Sequence, residues 1–145
     1  MSPLFLSFFL VLNMVDTTPC FVKEYHQALT EDQELQFINK YKNSTKIDVK
    51  AYVVSLKMKQ SKYKFFPWQK IKVFNKYKKH LEELISKHPK NVHLRYVRLV
   101  IQEKIPKMLN YYSEVKEDKE FLIKIMNEKD NADYLDTYIV KNTSL

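Results

Sequence analysis

Residues 38–42 read Ile-Asn-Lys-Tyr-Lys and residues 74–78 read Phe-Asn-Lys-Tyr-Lys, so one short pattern occurs twice in the chain. The segments that follow each copy also resemble one another. Val49, Val54, Leu56 and Gln60 fall opposite Val92, Val97, Leu99 and Glu103. Each copy has the apolar spacing of two helices, which predicts an all-α fold, a short stack of antiparallel helical hairpins. The two intervals differ from each other and from the period of about 34 residues of a tetratricopeptide repeat, so the repeat is irregular and tetratricopeptide-like in architecture only.

Composition limits the classes of protein to which the chain can belong. It has 145 residues, of which 45% are apolar and 14% aromatic, enough for one domain with a packed core. It contains no glycine, whereas dinucleotide-binding fingerprints, Walker loops and the glycine-flanked serine elbow all require it. These sites are therefore excluded, and tight β-hairpins, whose favoured turns depend on glycine, are disfavoured.

Neither cysteine nor histidine indicates a cofactor. The single cysteine, Cys20, cannot form an internal disulfide or a cysteine-based zinc site. None of the four histidines lies four residues from another, as a helical metal-binding pair would. The acidic pairs Glu82-Glu83 and Glu117-Asp118 diverge by about 100° on a helix and do not converge on a substrate. We therefore expect no metal, no other cofactor, no catalytic residue and no enzymatic activity.

Residues 1–20 have several features of an export signal. The run at 4–15 is apolar except for Ser7 and Asn13, which is too short to span a bilayer but fits a signal-peptide core. No Lys or Arg precedes the run, and Pro19 is unfavourable for cleavage before Cys20, so a buried core helix and a membrane anchor remain alternatives. We expect an exported protein, periplasmic or envelope-associated, or a cytoplasmic one if the run is a core helix. The folded domain is predicted at 21–141, with a flexible tail at 142–145.

Apolar spacing and capping residues predict the helices of that domain. Helix starts are indicated by Thr30 with Asp32 in the first turn, by Pro67, and by Asn91. The predicted helices lie at about 31–43, 47–58, 68–88, 91–105 and 115–128, with a last one near 135–139. The second and the fourth carry apolar residues on most sides, so both are expected to be buried.

A line of polar residues crosses the most apolar of these helices. Asn91, Arg95, Arg98 and Gln102 fall within an arc of roughly 60°, between apolar residues on both sides. A guanidinium in such surroundings needs a carboxylate or carbonyl partner. One interpretation is internal pairing, and the other is a groove for an anionic ligand or a peptide carboxylate. The candidates for internal pairing on the next helix are Glu117, Asp118 and Glu120.

The segment 50–79 combines many lysines with aromatic residues and contains no acidic residue. Lysines attract phosphates, while aromatic rings stack on bases or enter a lipid headgroup layer. The residues of this basic-aromatic patch are Lys57, Lys59, Lys62, Lys64, Trp68, Lys70 and Lys72, with Tyr63, Phe65 and Phe66 among them. The alternative is that the lysines are solvated faces of two helices and the aromatic rings fill the core at the bend between them.

The chain from about 51 to 122 resembles an uncharacterised family of small exported proteins of Gram-negative bacteria with tetratricopeptide-like helices. The residues that carry the resemblance are Ala51-Tyr52, the helix start at 68–74, the stretch 88–92, Leu94-Arg95-Tyr96-Val97-Arg98 with Ile101-Gln102, and Glu117-Asp118-Lys119. The resemblance implies that Asn91, Arg95, Arg98, Gln102 and Asp118, which we call the polar stripe, occupy family-type positions and form a structural Arg–Asp lock. The family pattern has glycine where this chain has Asn110, and asparagine also tolerates a left-handed turn. The resemblance implies export and supplies no catalytic residue.

Two functions follow from these observations. The first is a non-enzymatic helical interaction or scaffold module, exported to the cell envelope, whose concave face binds a protein or peptide. The second is a binder of polyanions, either nucleic acid or anionic envelope lipid, through the basic-aromatic segment 50–79. The formal charge of +8 is compatible with both.

Overall fold

The computed structural model describes residues 15–145, in which every element of regular structure is helical. The α-helices are α1 (Cys20–Gln27), α2 (Glu31–Tyr41), α3 (Ile47–Lys59), α4 (Pro67–Lys87), α5 (Val92–Lys104), α6 (Val115–Met126) and α7 (Asp136–Asn142). Short 3₁₀ turns lie at Gln60–Tyr63, Lys107–Leu109 and Asp133–Leu135. The predicted all-α stack of helical hairpins is confirmed.

The two copies of the repeated pattern form the two central hairpins. Helices α2 and α3 form the first hairpin, and α4 and α5 form the second. Helix α3 packs against α2, α4 and α5, while α5 also packs against α6. Both α3 and α5 are buried along most of their length, as their apolar pattern predicts. The core of the molecule therefore lies around these two helices.

Local sequence explains where the helices begin. Thr30 forms a capping box with Gln33, because its hydroxyl accepts from the Gln33 backbone N–H and the Gln33 side chain accepts from the Thr30 N–H. Pro67 occupies the first turn of α4, where its missing N–H costs nothing. Asn91 caps α5 by accepting from the Leu94 N–H. All three predicted helix starts are confirmed.

The connection after α5 contains a left-handed residue, Asn110, with φ of 48° and ψ of 48°. Asparagine adopts this conformation more readily than other residues that have a Cβ atom. Within residues 15–145, Asn110 is the one residue with positive φ. The expected left-handed turn is confirmed, and it allows the chain to turn back towards α6 without glycine.

Helix α1 was not predicted. It lies against α2 and α3 and buries Val22 completely, while Phe21 and Tyr25 pack on the core. Its eight residues are too few for a clear apolar period, and Pro19 precedes it without a side-chain cap. Its position is decided by tertiary contacts. The rings of Phe21, Tyr25 and His26 pack against rings of α3 and α5, namely Tyr52, His93 and Tyr96.

The predictions for the two ends of the chain have different outcomes. Residues 1–14, with most of the predicted export signal, lie outside the described part of the chain. At the other end, where a flexible tail was predicted, Ser144 donates through its backbone N–H and its hydroxyl to Glu103, and Leu145 packs against the core. Among residues 15–145, no helix has both the length and the apolar character needed to cross a membrane.

Candidate functional site

The polar stripe forms an ion-pair cluster centred on Arg98 and Asp118. The guanidinium of Arg98 donates from Nε to Asp118 Oδ2 and from Nη2 to Asp118 Oδ1, both at 2.7 Å. Its Nη1 donates to Glu82 Oε2 at 2.9 Å, so one arginine joins α4, α5 and α6. Asp118 is fully buried and Arg98 nearly so. This bidentate geometry is the one that planar guanidinium and carboxylate groups favour.

The pKa values of this pair report burial and mutual attraction. Burial raises the pKa of Asp118 above its ordinary value, although Arg98 and Arg95 oppose the shift. Burial also acts to lower the pKa of Arg98, but the hydrogen bonds that Arg98 donates to Asp118 and the negative charges of Asp118 and Glu82 outweigh it and raise that pKa. The guanidinium is therefore permanently charged, and each group is tolerated in the interior because the other is present.

Arg95 lies against the same carboxylate. Its Nη2 donates to Glu117 Oε1 at 2.7 Å, its Nε lies 3.1 Å from Asp118 Oδ1, and its guanidinium lies over the Phe121 ring at 4.9 Å from the ring centre. Of the three predicted partners, Glu117 and Asp118 pair with the arginines. Glu120 does not, because it lies on the exposed side of α6 near Lys116.

The ends of the stripe are also engaged inside the protein. Asn91 donates from Nδ2 to Asp48 Oδ1 at 2.6 Å, which links α5 to α3. Gln102 donates from Nε2 to Glu114 Oε2 at 2.8 Å. Tyr111 donates to Glu82, which completes the surroundings of Arg98. The stripe is thus a set of interhelical contacts, and both of its arginines are paired with carboxylates of the protein.

Sequence reasoning missed Glu82 as a partner of Arg98 and Tyr111 as a donor to Glu82. Both come from elements distant in sequence, α4 and the connection after Asn110. The spacing of residues on α5 shows which of them share a face, but it does not show which residues of other helices face them. The one available signal was the acidic pair Glu82-Glu83 beside Leu81 on an amphipathic helix.

A second polar cluster, unpredicted, surrounds His93. Its Nδ1 lies 2.6 Å from the hydroxyl of Tyr52 and its Nε2 lies 3.0 Å from the hydroxyl of Tyr134. Asp48 Oδ2 is 3.7 Å from Nε2. Burial lowers the pKa of His93 below its ordinary value, although Asp48 opposes the shift. A neutral imidazole can accept at one nitrogen and donate at the other, and each ring nitrogen has a tyrosine hydroxyl as its partner here.

The basic-aromatic patch contains an exposed aromatic cluster formed by Phe65, Phe66 and Trp68. The rings of Phe66 and Trp68 stack with centres 4.4 Å apart and planes 12° apart, and Phe65 meets Phe66 edge-on at 4.8 Å. Phe65 is 84% exposed and Trp68 is 64% exposed. The alternative that these rings fill the core at the bend is therefore wrong. They lie at the bend, but Phe66 is extended just before Pro67 begins α4, and the rings project outward.

The lysines of the patch divide into two groups. Lys59 pairs with the buried carboxylate of Glu34 at 2.6 Å, Lys62 lies 3.6 Å from it, and Lys57 lies over the ring of Tyr77. These three face partners within the protein. Lys64, Lys70 and Lys72 are exposed and pair with no carboxylate among residues 15–145. The exposed part of the patch is therefore the aromatic cluster with Lys64, Lys70 and Lys72.

Neither the ion-pair cluster around Arg98 nor the polar cluster around His93 has the ligand set of a metal centre. Within residues 15–145, no group of three or more histidine, cysteine or acidic side chains is placed to hold a metal ion. Comparisons of the chain with protein-family models, with curated proteins and with solved structures found no significant match. The resemblance to an exported bacterial family therefore stays a prediction.

Proposed function

We propose that the chain is a non-enzymatic helical interaction module, exported to the cell envelope, that docks on an anionic lipid surface through its basic-aromatic patch. The observation that carries the proposal is the exposed aromatic cluster. Three large rings in contact with one another and open to solvent are unusual on a folded domain, and such patches mark interaction sites. Burying apolar surface gains roughly 25 cal/mol per Å², so these rings favour an apolar or interfacial environment.

The side chains around the cluster match the chemistry of a membrane surface. Ile71 and Lys72 follow Trp68 by three and four residues and so share its side of α4. Tryptophan is enriched at the headgroup level of membranes. Each lysine near an anionic leaflet contributes about 1 kcal/mol of attraction, so Lys64, Lys70 and Lys72 can supplement the rings. Partial insertion of rings flanked by lysines is the usual arrangement of interfacial binding.

Stacking within the cluster favours lipid over nucleic acid as the partner. Aromatic side chains that bind single-stranded nucleic acid offer an open ring face to each base. Phe66 and Trp68 instead stack on one another, and Phe65 points its edge at Phe66. The rings thus form one compact apolar body, which suits insertion between headgroups better than stacking between bases.

The engagement of the acidic groups supports a binding role without chemistry. Three carboxylates of the acidic pairs in the sequence are bound to other side chains of the protein. Glu117 and Asp118 pair with arginines of α5, and Glu82 pairs with Arg98 and accepts from Tyr111. Each of these carboxylates already accepts from a protein donor, which favours a structural role for it over that of an acid or base acting on a substrate. The proposal of export is supported by the apolar run at 4–15 and by the family resemblance. N-terminal sequencing of the protein from fractionated cells tests whether it is exported.

Vesicle binding tests the docking proposal. We expect the full chain to bind vesicles of mixed anionic and zwitterionic phospholipid, to bind purely zwitterionic vesicles far less, and to dissociate as salt screens the lysines. Trp68 is the only tryptophan in the chain, so its fluorescence emission should shift to shorter wavelength on binding. Phe65→Ala with Trp68→Ala should abolish sedimentation with vesicles, and Lys64→Gln with Lys70→Gln and Lys72→Gln should weaken it at least tenfold.

The matched control removes the same charge elsewhere. Lys87, Lys90 and Lys129 are exposed and distant in sequence from the patch, so their triple replacement by Gln should weaken binding much less. Equal losses in the two triple variants would mean that only net charge matters and would contradict a defined patch. Binding to a single-stranded oligonucleotide but not to anionic vesicles would overturn the lipid proposal in favour of nucleic acid.

A further inference from the structure

We infer that a cleft between the C-terminal ends of α3 and α5 binds the anion of a medium-chain fatty acid, with the alkyl chain in the cleft and the carboxylate at Lys104. The cleft has a volume of about 370 Å³, within the range of small-molecule sites. It is separate from the exposed aromatic cluster, and the inference does not depend on membrane docking.

The walls of the cleft are apolar. Its lining includes Met58, Phe74, Val100, Ile101, Ile105 and Leu109. These residues come from α3, α4, α5 and the connection that follows α5, so the cleft is held by the core helices. Two of the polar groups on its lining are engaged with each other, since the hydroxyls of Tyr25 and Ser55 hydrogen-bond at 2.9 Å. An alkyl chain can fill such a space while the Tyr25–Ser55 hydrogen bond stays intact.

The charges at the cleft favour a single negative charge. Lys59, Lys62 and Lys104 lie on its lining, and Glu34 balances one of them through Lys59. The C-termini of α3 and α5 each add roughly half a negative charge. The sum is an excess of about one positive charge, which matches one carboxylate.

Lys104 is the lysine that has room for a ligand. It pairs with no carboxylate among residues 15–145, whereas Lys59 is held by Glu34. Burial and the nearby charge of Lys59 lower the pKa of Lys104 below its ordinary value. An ammonium group that is partly desolvated and repelled by its neighbour gains from an anion placed beside it.

The cleft suits a simple alkyl chain better than a peptide. A bound peptide brings backbone N–H and C=O groups, and each one buried without a partner costs free energy. Apart from Ser61 and the lysines, the lining is apolar or, like the hydroxyls of Tyr25 and Ser55, already engaged, so most backbone groups of a peptide would lack a partner. The alkyl chain of a fatty-acid anion has no such groups.

Calorimetric titration of the full chain with decanoate, below its micelle concentration, tests the inference. Octanoate, decanoate and dodecanoate should bind with affinity rising about fourfold per methylene until the cleft is full. Decyltrimethylammonium, of similar apolar length but opposite charge, should bind far more weakly. Lys104→Gln should weaken decanoate binding roughly fivefold, the contribution of one partly exposed charge pair. Ile101→Trp should fill the cleft and abolish binding.

Two controls separate this site from the patch and from a folding defect. Lys129→Gln, which removes the same charge outside the cleft, should leave decanoate affinity unchanged, and so should Phe65→Ala with Trp68→Ala. Circular dichroism establishes that each variant is folded. Absence of carboxylate binding, equal binding of the cationic amphiphile, or binding unaffected by both Lys104→Gln and Ile101→Trp would overturn the inference. Loss in the Phe65 and Trp68 variant alone would assign the ligand to the patch instead.

Discussion

Asp118 is one carboxylate that serves two buried guanidinium groups, so its removal should be far more damaging than that of its exposed neighbour. Asp118→Ala leaves Arg98 with Glu82 alone and Arg95 with Glu117 alone. Breaking a buried pair from one side costs about 3–5 kcal/mol. We expect that loss in the free energy of unfolding, measured by urea denaturation. Glu117→Ala removes an exposed partner and should cost less than about 1 kcal/mol.

A double variant distinguishes the loss of the attraction between Arg98 and Asp118 from the cost of a buried charge that has lost its partner. Arg98→Met with Asp118→Leu removes both members of the pair, and apolar replacements of similar size are often neutral. The double variant should therefore be more stable than Asp118→Ala. If it is less stable, the bidentate contact itself, and not the cost of an unpaired charge, dominates the stability of this region.

His93 should make the protein less stable in acid. Burial lowers its pKa in the folded state below the ordinary value of 6.5. Below about that pH the unfolded chain binds more protons than the folded one, so the free energy of unfolding decreases as pH falls. Urea denaturation at pH 7.5, 6.0 and 5.0 measures the slope, and His93→Gln should reduce it.

The control for this pH dependence is an exposed histidine. His80 lies on the outer side of α4, and His80→Gln should leave the slope unchanged. His26 is a second contributor, since burial also lowers its pKa, with Lys104 and Lys141 acting in the same direction. If His93→Gln has the same slope as wild type, His93 takes no part in the pH dependence, whatever His26 contributes.

Among the connections between elements, the turn at Asn110 makes a specific demand on its residue. Its φ of 48° lies in the left-handed region, where a Cβ atom is unfavourable and glycine is not. Asn110→Ala should lower the free energy of unfolding by about 1 kcal/mol, and Asn110→Gly should match or exceed wild type. Equal stability of the Ala and Gly variants would mean that the turn relaxes to another conformation.

Elements whose signals are local were predictable from the sequence. Thr30, Pro67 and Asn91 each fix a helix start through groups within four residues, and all three were predicted correctly. The arc formed by Arg95 and Arg98 is also a property of one helix, so their need for carboxylates could be inferred. Helix α1 could not, because its position depends on contacts of Phe21 and His26 with residues of α3 and α5.

At the scale of the whole molecule, the sequence did not show which polar groups are already paired. Glu34 neutralises Lys59 from another helix, so a uniform run of lysines becomes one engaged group and one exposed group. The cleft was equally hidden, because it exists only where the ends of α3 and α5 lie side by side with α4. The sequence shows which residues are charged or apolar. Which charges pair with each other, and where a cleft forms, depends on how the helices pack.

The shared carboxylate also sets an order on how this chain can change over evolutionary time. If Arg95 is replaced first, Asp118 loses one ionic contact but keeps both bonds to Arg98, and the exposed Glu117 loses its partner. If Asp118 is replaced first, two guanidinium groups are stranded together. Drift away from this arrangement is therefore easier through position 95 than through position 118, and positions 98 and 118 are expected to be exchanged as a pair.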